Sequence, residues 1–178
     1  ALPEQVVADV ITSAFGSAGQ RCSALRVLFV QEEVAPKILN MLKGAMAELK
    51  VGDPSDLSTD VGPVIGLEAR KTLLEHVEYM KEAGKLLYQV PLSEDLAEKG
   101  SFFAPCAFEI DHISRLTQEV FGPILHIIRY QSGALDDVIA QINSTGYGLT
   151  LGIHSRIEET IRYIQNKVHI GNIYVNRN

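Results

Sequence analysis

The amino-acid sequence predicts an α/β domain in which helices cover a mostly parallel β-sheet. Apolar residues recur every three or four positions in five segments, which is the spacing of an amphipathic helix. Short runs of branched and aromatic residues alternate with these segments, as expected for strands. Such alternation is typical of parallel strands joined by right-handed crossovers. With 178 residues, of which 46% are hydrophobic, the chain is long enough for one core.

The elements of the first half follow from local signals. Pro3 and Glu4 suit the first turn of a helix, whose apolar face continues until Gly16. The residues from Gly16 to Ser23 are small and polar, which predicts a tight loop. The other predicted elements of this half are a strand at residues 25–30, helices at 34–49 and 68–83, and a strand at 86–90.

The second half begins with its least regular part. Residues 91–100 are polar and irregular, and residues 102–110 are predicted to be extended although Pro105 weakens that prediction. Residues 124–128 form an apolar run typical of a parallel strand covered on both faces. The remaining predicted elements are a helix at 135–142, a strand at 149–153, a helix at 157–164 and a strand at 173–175.

Charge and composition exclude several classes of function. The formal charge of −6 at pH 7 gives no basic footprint for nucleic acid or for an anionic membrane surface. No apolar run approaches the length of a membrane helix. The two cysteines have neither metal-finger spacing nor the density of a disulfide scaffold. We therefore expect a cytoplasmic protein that neither binds nucleic acid nor spans a membrane.

Cys22 is the residue whose setting most favours chemistry. It lies in the polar loop after the first helix, beside the cation Arg21, which would favour the thiolate. Cys106 lies instead in an apolar run after Pro105, where a cysteine behaves as a small buried hydrophobe. The sequence therefore predicts one reactive and one structural cysteine.

Cysteine hydrolases are one class that could use such a residue. Residues 20–24 are only partly similar to the caspase signature, and too few residues precede Cys22 for the histidine of that family. The local papain motif is absent around Cys22, although His154 lies far enough downstream. A hydrolase that uses Cys22 and a histidine stays open as an alternative, and it requires an imidazole close to the sulfur.

Two motifs of the chain resemble those of aldehyde dehydrogenases. Gly19-Gln20-Arg21-Cys22 resembles the nucleophile motif G-Q-x-C, and Glu119-Val120-Phe121-Gly122-Pro123 is similar to E-x-F-G-P. Further similar stretches, in the family's order, are Gly52-Asp53-Pro54, Gly62-Pro63, Tyr147-Gly148-Leu149 and Gly171-Asn172-Ile173-Tyr174-Val175-Asn176. The resemblance covers essentially the whole chain and implies a three-layer α/β/α catalytic domain with a mostly parallel sheet.

The resemblance implies a role for each of five residues. Cys22 would add to an aldehyde and pass through a hemithioacetal to a hydrolysable thioester. Glu119 would accept hydrogen bonds from the nicotinamide ribose of NAD, and Phe121 would pack beside the nicotinamide. Ser23 would bind a substrate carboxylate and Arg21 would contact the substrate; the simpler alternatives are a loop-capping serine and a solvent-facing arginine. Because the family's general base belongs to an E-L-G-G-K-like motif that this chain lacks, Glu119 is not assigned that role.

The resemblance is strongest to one branch of the family, the L-glutamate γ-semialdehyde (1-pyrroline-5-carboxylate) dehydrogenases of bifunctional bacterial proline-catabolising enzymes. Residues 1–7, 19–26 and 146–152 carry it. It implies that residues 1–178 are a catalytic-domain fragment, inactive alone, whose parent chain supplies the nucleotide-binding domain and a C-terminal segment.

The same resemblance implies the setting of the parent protein. Its partners would be NAD, a small aldehyde and a second subunit, with FAD only in a separate proline dehydrogenase domain. The parent would be cytoplasmic in a bacterium, with other domains able to bring it to a membrane surface. A non-enzymatic relative used for assembly and a dehydrogenase for another aldehyde are the alternatives.

Overall fold

The computed structural model describes all residues, 1–178, as six α-helices and six strands that form two separate β-sheets. The helices are α1 (Pro3–Phe15), α2 (Ala35–Ala47), α3 (Leu67–Ala83), α4 (Glu94–Lys99), α5 (Leu135–Ser144) and α6 (Glu158–Lys167). The strands are β1 (Val27–Gln31), β2 (Lys85–Gln89), β3 (Cys106–Glu109), β4 (Ile124–Tyr130), β5 (Thr150–Ile153) and β6 (Asn172–Val175).

The main sheet has four strands in the order β1-β4-β3-β2. Strand β4 is central and pairs in parallel with β1 and β3, whereas β2 is antiparallel at the edge. Its first five residues, 124–128, are all buried, which confirms the prediction of a strand covered on both faces. The α/β fold class with a mostly parallel sheet is therefore confirmed.

The core is larger on one side of the molecule than on the other. A cluster of 29 buried residues joins α1, α2 and α3 to the main sheet. Strands β5 and β6 form a separate two-stranded parallel sheet, and the buried residues of α5, β5 and α6 lie outside that cluster. These residues are Val138, Ile139, Ile153 and Ile161. The single core expected from the sequence is thus one main core with a smaller unit beside it.

Helix α4 is the one α-helix that the sequence did not predict. None of its residues is buried, so it has no apolar stripe by which periodicity could reveal it. Local polar contacts hold it instead: Ser93 Oγ accepts from Leu96 N–H at its start, and Lys99 pairs with Asp95 one turn away. Residues 94–99 are therefore helical, in place of the irregular segment predicted there.

The outer edge of β1 has no strand partner and faces a large cavity. The cavity has a volume of about 1520 Å³, and residues of both β1 and β5 line it. The loops that precede β1 and β4 open into the same space. No helix in the structure combines the length and the apolar character that crossing a membrane would require.

His126 is the only polar side chain that is buried, with 0% of its surface exposed. Its Nδ1 lies 3.1 Å from the carbonyl oxygen of Arg26, and its Nε2 lies 2.9 Å from Nε2 of His76 on α3. Because a carbonyl oxygen can only accept, Nδ1 of His126 carries the proton and its Nε2 accepts from His76. Burial, followed by the nearby charges of His76 and Arg26, lowers the pKa of His126 to about 4, and burial lowers that of His76.

This buried histidine predicts a loss of stability in mild acid. In the unfolded chain this histidine has a pKa near 6.5 and binds a proton below that pH. In the folded chain His126 stays neutral until the pH approaches 4. The free energy of unfolding should therefore fall as the pH drops from about 6.5 to about 4. His126→Asn keeps a donor toward the Arg26 carbonyl without the titration, so the pH dependence should become shallower. Urea unfolding of the chain at several pH values in this range measures the slope.

The matched control is His169→Asn, which changes an exposed histidine. Its slope should equal that of the unsubstituted chain. An unchanged slope in His126→Asn would mean that other groups cause the acid sensitivity.

Candidate active site

The loop of residues 16–24, called here the Cys22 loop, begins with a left-handed turn. Ser17, Ala18 and Gly19 have φ angles of 55°, 52° and 62°. Only glycine adopts this left-handed region freely, whereas the conformation costs a residue with a side chain roughly 1–2 kcal/mol. Contacts from outside the loop must therefore hold the turn in this conformation.

Cys22 and Ser23 occupy the centre of the turn that follows. Ala24 N–H closes this turn by donating to the carbonyl oxygen of Arg21 at 3.1 Å. Both central residues are exposed, and neither of their main-chain N–H groups has a hydrogen-bond partner within the chain. Free N–H groups beside a nucleophile can stabilise an oxyanion. One short turn thus presents a thiol, a hydroxyl and two amide donors.

Residues 119–123, called here the Glu119 loop, pack directly against the Cys22 loop. The Glu119 loop precedes β4 and the Cys22 loop precedes β1. Because these strands are parallel neighbours, both loops lie where the strands begin, at the amino-terminal end of the sheet. A Cβ atom on Gly19 would lie only 2.4 Å from the carbonyl oxygen of Gly122. A Cβ atom on Gly122 would lie 2.5 Å from Cδ1 of Leu73 on α3. Close packing therefore requires the glycine of each motif.

Arg26 joins the two loops, although no motif in the sequence marks it. Its Nη1 donates to the carbonyl oxygens of Gly19 at 2.6 Å and Gly122 at 3.1 Å. Its Nη2 donates to the carbonyl oxygen of Arg21 at 3.2 Å, and its Nε lies 3.9 Å from Oε1 of Glu119. Burial lowers the pKa of Arg26, while Glu119 opposes that shift. The only sequence signal was an arginine at the entrance of an otherwise apolar strand.

Gln20 fixes the other side of the Cys22 loop. Its Oε1 accepts a hydrogen bond from the main-chain N–H of Ile65 at 2.8 Å. Val64, the residue before Ile65, makes two hydrogen bonds with Ser101. Its N–H donates to the carbonyl oxygen of Ser101 at 3.0 Å, and its carbonyl oxygen accepts from Ser101 Oγ at 2.6 Å. The glutamine of the motif therefore anchors the loop to a neighbouring segment and leaves Cys22 free.

Four of the five candidate residues lie along one cavity. Arg21, Cys22, Ser23 and Glu119 all line the space beside β1, whereas Phe121 does not line it and is 41% exposed. Arg21 directs its Nη2 to the carbonyl oxygen of Thr12, 3.1 Å away, near the end of α1. The arginine side chain is thus bound to main chain.

Glu119 and Phe121 fit the group that the family resemblance implies. The Glu119 side chain is 43% exposed, and its carboxylate accepts no hydrogen bond from the chain, so it can accept from ribose hydroxyls. The exposed Phe121 ring offers an apolar surface of the kind that a nicotinamide ring requires. Glu119 and Phe121 therefore fit NAD at the amino-terminal end of the sheet.

Four of the five histidine side chains have partners elsewhere in the chain, and the fifth, His169, is exposed and makes no side-chain hydrogen bond. His76 and His126 bond to each other, His112 bonds to Ser114, and His154 pairs with Asp9. No histidine is hydrogen-bonded to Cys22. The structure therefore does not supply the imidazole that a cysteine hydrolase needs.

The chain belongs to the aldehyde dehydrogenase family. The model of that family matches residues 2–178. The fold, the exposed cysteine and the adjoining Glu119 loop are those expected from the motifs, so the resemblance inferred from the sequence is confirmed at the level of the family.

Bifunctional proline utilisation proteins are among its most similar relatives. The chain is 52% identical over 182 residues to the bifunctional protein PutA of Escherichia coli strain K12, covering all of this chain and 14% of that protein. A structure of Bradyrhizobium japonicum proline utilization A matches with a TM-score of 0.95 and 55% identity, over all of this chain and 18% of that one.

Single-function relatives match at greater distance. The 1-pyrroline-5-carboxylate dehydrogenase of Geobacillus sp. strain WCH70 is 35% identical, covering 98% of this chain and 33% of that enzyme. The structure of a 1-pyrroline-5-carboxylate dehydrogenase from Thermus with bound NAD matches with a TM-score of 0.89 and 31% identity, over 99% of this chain and 34% of that one. The chain thus spans about a seventh to a third of the relatives named here.

The contact between the two loops predicts that Gly19→Ala is destabilising. The added methyl would meet main-chain oxygens of Gly122 and Ala14, and the residue has positive φ. We expect a loss of roughly 2–4 kcal/mol, of which the backbone conformation accounts for about 1–2 kcal/mol. Gly146→Ala is the matched control because Gly146 also has positive φ but no atom lies near its Cβ position. Urea unfolding should show a clearly smaller loss for the control, and equal losses would refute the loop contact.

The two cysteines should differ strongly in reactivity. Cys22 is exposed, whereas Cys106 is fully buried on β3, and burial raises the pKa of the Cys106 thiol. We expect iodoacetamide at neutral pH to modify Cys22 at least about tenfold faster, because alkylation requires an accessible thiolate. Peptide mass spectrometry at short times measures both rates. In urea the difference between the two alkylation rates should disappear. If Cys106 reacted before Cys22 in the folded chain, the assignment of Cys22 as the reactive cysteine would be contradicted.

Proposed function

We propose that the intact protein oxidises L-glutamate γ-semialdehyde to L-glutamate with NAD, and that Cys22 is the nucleophile. The observation that carries the proposal is the exposed thiol of Cys22 in a turn with two unpartnered N–H groups. The turn packs against a loop whose Glu119 carboxylate is 43% exposed and accepts no hydrogen bond from the chain. The names of the relatives support the substrate, because both PutA proteins and 1-pyrroline-5-carboxylate dehydrogenases match nearly the whole chain.

The chemistry begins at the sulfur of Cys22. Its thiolate forms a bond to the carbonyl carbon of the aldehyde, and the electron pair of the C=O bond moves to oxygen. The N–H groups of Cys22 and Ser23, which have no partner within the chain, would bind the resulting oxyanion. Loss of a hydride from this carbon oxidises it to the level of the thioester, and NAD held at Glu119 and Phe121 would supply the hydride acceptor. Water then releases the acid from the Cys22 thioester and restores the thiol.

Other residues of the two loops would bind rather than react. Glu119 would hold the ribose hydroxyls and Phe121 the nicotinamide, as their exposure and free surfaces allow. Ser23 would donate to the substrate carboxylate. Arg21 is already bound to the main chain of α1, so it would contribute to this site mainly through the shape of the turn.

The proposal includes the setting of residues 1–178. They would form the catalytic domain of a longer, homodimeric cytoplasmic protein whose other segments supply the nucleotide-binding domain and the general base. The small share of each relative that the chain covers is consistent with this arrangement. FAD would belong only to a separate proline dehydrogenase domain of that parent.

The experiment compares aldehydes and cysteine variants in the full-length parent. NADH formation, followed by absorbance, should be faster with pyrroline-5-carboxylate than with a simple aliphatic aldehyde. Cys22→Ala should lower kcat by at least about a thousandfold, because it removes the proposed nucleophile and Cys106, the other thiol of residues 1–178, is buried.

Two controls separate loss of chemistry from loss of folding. Cys106→Ala removes the buried thiol and should leave kcat within about threefold of the unsubstituted enzyme, because Cys106 is buried and does not line the cavity that Cys22 and Glu119 share. The 178-residue chain alone should form no NADH. Turnover by Cys22→Ala would refute the nucleophile, and a preference for the simple aldehyde would refute the substrate.

A further inference from the structure

We propose that Arg26 is a positioning residue that holds the Cys22 loop and the Glu119 loop in a single arrangement, and thereby couples NAD binding to the reactivity of Cys22. The inference rests on the proposed function, since it concerns the same two loops. One guanidinium fixes the proposed nucleophile and the proposed cofactor-binding residues relative to each other.

The hydrogen bonds of Arg26 connect segments far apart in sequence. A guanidinium is planar, with its N–H groups in a fixed fork, so acceptors bound to it cannot move independently. Here the acceptors are the carbonyl oxygens of Gly19 and Arg21 in one loop and of Gly122 in the other. Any displacement of the Glu119 loop would therefore stretch bonds that also hold the turn of Cys22.

The rest of the side chain contacts the two residues proposed to bind NAD. Cζ of Arg26 lies 4.8 Å from the centre of the Phe121 ring, a cation–π contact, and Nε lies 3.9 Å from Oε1 of Glu119. The guanidinium covers part of the Phe121 ring and leaves the remainder exposed. Arg26 thus orients both side chains without occupying their exposed surfaces.

Arg26 is itself held firmly. Its side chain is only 17% exposed, and its carbonyl oxygen accepts hydrogen bonds from both N–H and Nδ1 of His126 on β4. The main chain of Arg26 is therefore fixed to the central strand, while its side chain reaches the loops. A group anchored at both ends can transmit a shift from one loop to the other.

The experiment uses the full-length parent and two substitutions of different chemistry. Arg26→Gln removes the cation and most of the fork, whereas Arg26→Lys keeps the charge but cannot bind three carbonyl groups in one plane. The readouts are the dissociation constant of NAD by calorimetry, the rate of Cys22 alkylation with and without NAD, and kcat. Arg129→Gln is the matched control, because Arg129 also pairs with carboxylates, Glu32 and Glu109, but lies at the opposite end of β4.

The expected pattern separates positioning from a general loss of structure. Arg26→Gln should weaken NAD binding about tenfold and reduce at least threefold the change in Cys22 alkylation that NAD causes. Arg26→Lys should keep the NAD dissociation constant within about threefold of the unsubstituted value and still lower kcat about tenfold, because the charge remains and the fork does not. Arg129→Gln should leave all three readouts unchanged.

Two results would overturn the inference. One is full recovery of kcat in Arg26→Lys, which would mean that charge alone suffices. The other is an NAD affinity and a Cys22 alkylation rate that do not respond to Arg26→Gln. A parent protein that does not bind NAD at all would instead refute the proposed function. A parent that binds NAD but oxidises another aldehyde would leave the test of Arg26 valid.

Discussion

The Arg26 guanidinium, bonded to three main-chain carbonyl groups, connects the two loops on which the candidate site depends. The connection is possible only because the loops already touch at two glycines without side chains. The carbonyl groups of the buried residues Gly19 and Gly122 and a partly desolvated cation satisfy each other here, so neither is left without a partner. The strained turn before Cys22 persists because this contact and the Gln20 hydrogen bond determine its shape from outside.

The topology of the sheet explains why these loops meet. Strands β1 and β4 are parallel neighbours, so the segments that precede them reach the same edge although they are far apart in sequence. Open α/β sheets usually bind ligands at the carboxyl ends of their strands. In this domain the candidate residues cluster at the amino ends instead, where the end of α1, the turn of Cys22 and the Glu119 loop converge.

Much of this arrangement could be predicted from the sequence, and the parts that could not have physical reasons. Helices α1, α2, α3, α5 and α6 each have an apolar face, so periodicity located them, whereas α4 has none. The strand at residues 124–128 was evident because both of its faces are buried. The antiparallel direction of β2 and the separate β5-β6 sheet depend on pairing between distant segments, which local patterns do not encode.

The same distinction applies to the site. Short motifs located Cys22 and Glu119, since their spacing is local, but Arg26 acts on Gly122, 96 residues away, and no local signal marks that contact. Positive φ at Ser17 and Ala18 was equally hidden, because neither residue type favours it.

The open edge of β1 also affects how the chain behaves in solution. A strand that carries unpaired N–H and C=O groups along one side is a template on which another extended chain can add. The 178-residue chain handled alone therefore has a route to intermolecular strand pairing that its folding free energy does not report. The free energy of unfolding of the monomer is therefore measured in dilute samples whose molecular mass has been checked by light scattering.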